Sequence, residues 1–146
     1  MEKHGVAAVP TGAIGHTQLD PKNNRWRSIV LAKHSAVAAG LGRIGRNTLL
    51  TTPEYGNMAW LSTILTDAQL TPDELLSGDP CPEDCSLCID NCPASALGEP
   101  EMKQRECQAH AFHIKPEEAL LIKCFKCRTI CPNFLGSRNE TIMNNS

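Results

Sequence analysis

The sequence predicts a small α+β protein, because short β-branched segments and an alanine-rich helix occupy its first half and cysteines dominate its second. Its 146 residues suffice for one ordinary domain, or for a small core with a cofactor-binding module. Three segments follow from the change in composition: an α/β region over 1–77, a cysteine module over 78–135 and a polar tail over 136–146.

The elements read in order. Val6 to Val9 is a short apolar run, predicted as a strand that Pro10 stops. Ile29 to Ala39 is apolar and alanine-rich, and a helix there finds its C-terminal glycine in Gly40-Leu41-Gly42. Trp60 to Thr66 is β-branched and aromatic and reads as a strand. Thr71 to Leu76 reads as a short helix with Pro72 at its first position. Within the module, Glu99 to Cys107 reads as irregular and Lys115 to Ile122 as a helix.

Composition excludes some classes of function. Hydrophobic content of 41% and charged content of 21% suit a globular protein, and a net charge of -2 gives no broad field for gathering phosphates. Nucleic acid is therefore not expected as a partner. No apolar stretch approaches the roughly 18 residues of a bilayer span, and the N-terminus lacks a secretory core, so no membrane is expected and the cytoplasm is the expected compartment. Reducing conditions there disfavour a disulfide framework, and eight clustered thiols point to metal.

The cysteine spacing sharpens this. Cys81, Cys85, Cys88 and Cys92-Pro93 form C-x3-C-x2-C-x3-C-P; Cys107 stands alone; Cys124, Cys127 and Cys131-Pro132 repeat C-x2-C-x3-C-P. Closely spaced thiolates grip three corners of an iron–sulfur cube, while in two-cluster ferredoxins the cysteine before proline ligates the other cube. Applied here, the crossing assigns Cys81, Cys85, Cys88 and Cys131 to one 4Fe-4S cluster and Cys92, Cys107, Cys124 and Cys127 to a second. Helices beginning at Pro93 and Pro132 would aim N–H groups at the cubes. Zinc uses similar C-x2-C pairs but accounts for neither the repeated x3-C-P endings nor the isolated Cys107. Lys123, Lys126 and Arg128 flank the second motif, either as solvated charges or as an offset to the anionic cubes.

Gly40-Leu41-Gly42-Arg43-Ile44-Gly45 matches G-x-G-x-x-G, and Asp67 lies 22 residues beyond Gly45. A dinucleotide motif must leave a strand and open a helix. Here a helix precedes the glycines and Thr48 to Pro53 is too short and β-branched to be one, so tight turning is the alternative.

The run Ala38 to Leu50, then Thr52-Pro53-Glu54-Tyr55-Gly56, Leu65-Thr66-Asp67 and the two cysteine motifs together resemble the epoxyqueuosine reductases and their relatives, the corrinoid-dependent reductive dehalogenases. The resemblance covers residues 30 to 135 and implies part of a nitroreductase-like α/β layer over 1–77, followed by a ferredoxin-like module with two 4Fe-4S clusters. It also implies a cobalamin, with Gly40, Gly42 and Gly45 on a corrinoid-proximal turn, and an enzyme that is an oxidoreductase. That family uses an aspartate a little upstream of the glycine turn as proton donor, but Arg25 to Ala39 contains no acid, so no catalytic residue is assigned. The chain is expected to begin inside the cofactor domain.

The leading expectation is accordingly an electron-transfer protein that takes low-potential electrons from a ferredoxin or flavodoxin and passes them to a corrinoid or another acceptor protein. The alternatives are an epoxyqueuosine reductase-like, cobalamin-dependent reductase completed by a partner or homo-oligomer, and a zinc-stabilised structural protein.

Overall fold

The computed structural model describes residues 3, 5–11, 18–23, 25–98, 101–114 and 120–137. Among the described residues, eight short strands and four short helices follow in the order β1 (Ala8–Pro10), β2 (Gln18–Asp20), β3 (Arg25–Arg27), α1 (Ala32–Ala38), β4 (Arg43–Ile44), β5 (Leu50–Thr51), β6 (Ile64–Thr66), α2 (Leu87–Asp90), α3 (Gln104–Ala111), β7 (Phe112–Ile114), β8 (Leu120–Ile122) and α4 (Lys126–Thr129). Among the described residues the strands pair two by two, as antiparallel ribbons β1–β6, β2–β3, β4–β5 and β7–β8. The result is a mixed small α/β architecture rather than one continuous layer.

Several elements differ from expectation for identifiable reasons. β1 starts at Ala8 rather than Val6 and ends on Pro10 itself, which is tolerated as a terminal strand residue because in a two-stranded ribbon each strand has a free edge where a missing N–H costs little. The strand expected from Trp60 is only Ile64–Thr66, which is as far as its partner β1 extends. No helix forms over Thr71 to Leu76. There the Arg43 guanidinium donates to the Leu76 carbonyl at 2.8 Å, and Gly40 packs against the Glu74 carbonyl, so tertiary partners hold this backbone out of a helix.

The expected helix over Lys115 to Ile122 is replaced at its end by β8, and 115–119 fall outside the described residues. Glutamine, arginine, glutamate and alanine, all good helix formers, instead build α3 from Gln104, which places Cys107 on a helix rather than in an irregular stretch. Most of the polar tail lies outside the described residues, but Ser137 N–H donates to the Pro53 carbonyl at 2.9 Å.

α1 ends as its glycine predicts. Leu41 N–H reaches the Ala36 carbonyl at 3.0 Å and Gly40 N–H the Val37 carbonyl at 3.1 Å, a Schellman closure with Gly40 at φ 74°. The chain then enters the β4–β5 hairpin instead of a helix, so the glycine run has no dinucleotide-binding context. Buried apolar side chains are few and mostly small: Ala36, Leu50, Cys88, Ala96 and Ala111 among the described residues. Asn47, Thr52 and Asn57 are buried beside them. A core this thin leaves much of the fold's cohesion to whatever the cysteines hold.

Candidate metal centres

The repeated cysteine motif yields a repeated local structure. α2 and α4 are single turns that carry Cys88 and Cys127, each started by a residue in a bridge-type conformation (Ser86 and Phe125), and the two turns pack on each other. All eight cysteines are unpaired by disulfides.

The thiols fall into two sets. Burial, then the neighbouring Cys81, Cys131 and Cys85, push the Cys88 thiol above its usual range. Burial, then Cys127, Cys92 and Cys124, do the same to Cys107. One cleft is lined by Cys81, Cys85, Cys88 and Cys131, and a cavity of about 190 Å³ by Cys92, Cys107, Cys124 and Cys127. Four thiolates that repel one another at a partly buried site are the arrangement a cationic iron–sulfur core relieves. Among the described residues no three His, Cys, Asp or Glu side chains are disposed to hold a single ion.

Donors to sulfur come from backbone. Pro93 and Pro132 open turns rather than the expected helices. Burial raises the Cys92 thiol, but the N–H groups of Ala96, Ala94, Leu97 and Ser95 together outweigh it and hold the thiol below its usual value. Ala96 N–H lies 3.3 Å from Cys92 Sγ. On the other set, Arg46 N–H lies 3.3 Å from Cys81 Sγ and the Arg46 guanidinium donates to the Cys85 carbonyl at 2.6 Å. Of the three cations flanking the second motif, Arg128 turns inward. It stands 5.7 Å from the Trp60 ring centroid, donates to the Asn57 carbonyl and lowers the Cys127 thiol, although burial prevails and leaves that thiol raised.

The glycines of the turn face this chain's own atoms. A side chain at Gly40 would strike the Glu74 carbonyl, one at Gly42 would come within 2.5 Å of the Thr51 carbonyl, and one at Gly45 would meet Asn47 Oδ1 at 3.1 Å and Cys81 Sγ at 3.5 Å. Gly45 thus borders the first thiol set. Arg46 and Asn47, which follow the last glycine, touch the cysteine loops although cysteine spacing does not mark them. Their sequence signal was their place beside the glycine motif, within the run Ala38 to Leu50. His110 also lines the second cavity.

No protein-family model matches the sequence. The chain is 38% identical over 118 residues to the epoxyqueuosine reductase of Gloeobacter violaceus, which covers 70% of this chain and 35% of that protein. It is 36% identical over 107 residues to the enzyme of Listeria monocytogenes, covering 66% and 28%. The solved epoxyqueuosine reductase from Streptococcus thermophilus superposes with a TM-score of 0.54 at 28% identity, over 69% of this chain and 30% of that one. A reductase structure holding an epoxyqueuosine-modified tRNA-Tyr stem loop shares the fold with a TM-score of 0.62 at 23% identity, over 91% and 34%. The stem loop is that neighbour's ligand; the expectation of no nucleic-acid partner rested on net charge over this chain, which matches only about a third of that structure. The chain therefore spans about a third of the length of the proteins it matches and is similar there, in sequence and in fold, to epoxyqueuosine reductases, which are oxidoreductases.

Proposed function

We propose that the chain is the electron-feeding part of an epoxyqueuosine reductase-type enzyme, with Cys81, Cys85, Cys88 and Cys131 holding one 4Fe-4S cluster and Cys92, Cys107, Cys124 and Cys127 a second. The observation that carries this is the division of the eight thiols between two cavities, each lined by cysteines of both motifs. The clusters supply one-electron reduction at low potential. The residues around them hold charge in place: backbone N–H groups at Cys81 and Cys92 and the guanidinium beside Cys127 favour the anionic, thiolate-ligated state.

The similarity to whole reductases supports the reductase reading over a free-standing electron carrier. On this reading a corrinoid is held with protein beyond the residues described, because Gly40, Gly42 and Gly45 already pack on this chain, and the substrate is an epoxyqueuosine nucleoside in tRNA. A reductive dehalogenase activity lacks such support.

Anaerobic purification with metal and sulfide analysis tests the first step, and about eight iron and eight sulfide per chain are expected. Zinc without sulfide overturns it. Mixed with cobalamin, a low-potential reductant and the remaining part of a matched reductase, the chain should support reduction of an epoxyqueuosine-bearing stem loop; a chain that assembles both clusters yet adds nothing to that reaction is a carrier for some other acceptor.

A further inference from the structure

The tip of the β4–β5 hairpin lies between the two thiol sets. On one side Arg46 N–H meets Cys81 Sγ; on the other the Asn47 side-chain amide donates to the Cys127 carbonyl at 3.2 Å. Asn47 is 4% exposed, and among the described residues it alone lines both the cleft of the first set and the cavity of the second. Its carboxamide oxygen accepts Leu49 N–H at 3.1 Å, closing an Asx turn that locks the tip. The next residue, Thr48, is held at φ 60°, an unfavourable region for a β-branched side chain. A buried amide aimed by two bonds into the wall shared by two anionic sites is over-determined for a mere turn.

From this we infer that Asn47 is the positioning residue of the inter-cluster wall: a neutral amide that sets the separation and the local field of both clusters, so that electrons pass between them across the hairpin tip. The inference rests on the two-cluster reading above. A carboxylate in place of the amide, once ionised, puts a negative charge beside both cubes and disfavours the reduced, more anionic state of each; because burial and the anionic sites raise its pKa, the titrations are run at about pH 9.

The test is a redox titration of the intact, anaerobically purified chain, followed by electron paramagnetic resonance, for wild type, Asn47→Asp and Arg46→Lys. Fewer than two reducible centres in wild type sinks the two-cluster reading and this inference with it. With two centres present, Asn47→Asp is expected to lower both midpoints, each by at least about threefold in the reduction equilibrium, or about 28 mV for one electron. Arg46→Lys, which alters contacts to the first set alone, is expected to move one. A shift at a single centre in Asn47→Asp, or at neither, overturns the role of Asn47 and leaves the cluster assignment standing.

If Asn47→Asp assembles no cluster, Asn47→Ser is titrated in the same way. Loss of both centres from a variant recovered as soluble chain at the wild-type yield supports a wall shared by both sites, and loss of one overturns it.

Discussion

Trp26 Nε1–H donates to Gln108 Oε1 at 2.7 Å, joining the N-terminal ribbon to α3 across 82 residues of chain, one position after Cys107. Trp26 N–H also meets Gln104 Oε1 at 2.8 Å, and Arg25 pairs with Glu101 just before the helix. The isolated cysteine of the second set is thus held by a segment far from either cysteine motif.

Trp26→Ala should loosen α3 and lower occupancy of the second site selectively. The lost side-chain bond is worth about 1 kcal/mol, and the indole's packing adds to it. Cys107→Ser sets the limit of the effect: one cluster lost, the other largely assembled, read as about four iron remaining from eight. Iron analysis of both variants checks this. Equal loss from both sites in Trp26→Ala, or eight iron retained in Cys107→Ser, contradicts the assignment of Cys107.

Gly40→Ala should destabilise the fold by about 2–4 kcal/mol, since the new methyl group meets the Glu74 carbonyl and the residue must keep φ 74°. Gly78 has a similar φ of 83°, but a methyl group there would meet no atom within 4 Å, so Gly78→Ala should cost only the conformational strain, about 1 kcal/mol. Denaturant midpoints of the holo-protein distinguish the two, and equal costs would mean that the Gly40–Glu74 contact is not formed.

Removal of metal with an oxidant and chelator should abolish the cooperative thermal transition, not merely lower its midpoint. The buried apolar side chains are few and small, while Ile29, Trp60, Leu70 and Leu75 are largely exposed, so little besides the cysteine loops ties the ribbons together. Calorimetry before and after stripping checks this, and an unchanged transition would assign the stability to packing instead.

Much of the molecule is legible before folding because the relevant physics is local. Gly40 marks the end of α1, since a left-handed C-terminal closure needs a residue without a β-carbon. The C-x2-C-x3-C spacing specifies the same single turn twice, with Cys88 and Cys127 at equivalent places, because thiols three residues apart lie on one side of a helical turn. The break in the cysteine pattern at Cys107 is visible in the same way. What tertiary structure alone decided is which groups meet across long separations. Thr71 to Leu76 had the composition of a helix, yet Arg43 bonds the Leu76 carbonyl and the Glu74 carbonyl packs against Gly40; Asn47 had no signature of its own, yet the hairpin carries it into the wall between the two thiol sets. Local preference is worth a few tenths of a kcal/mol per residue, and a tertiary hydrogen bond of about 1 kcal/mol is enough to outweigh it.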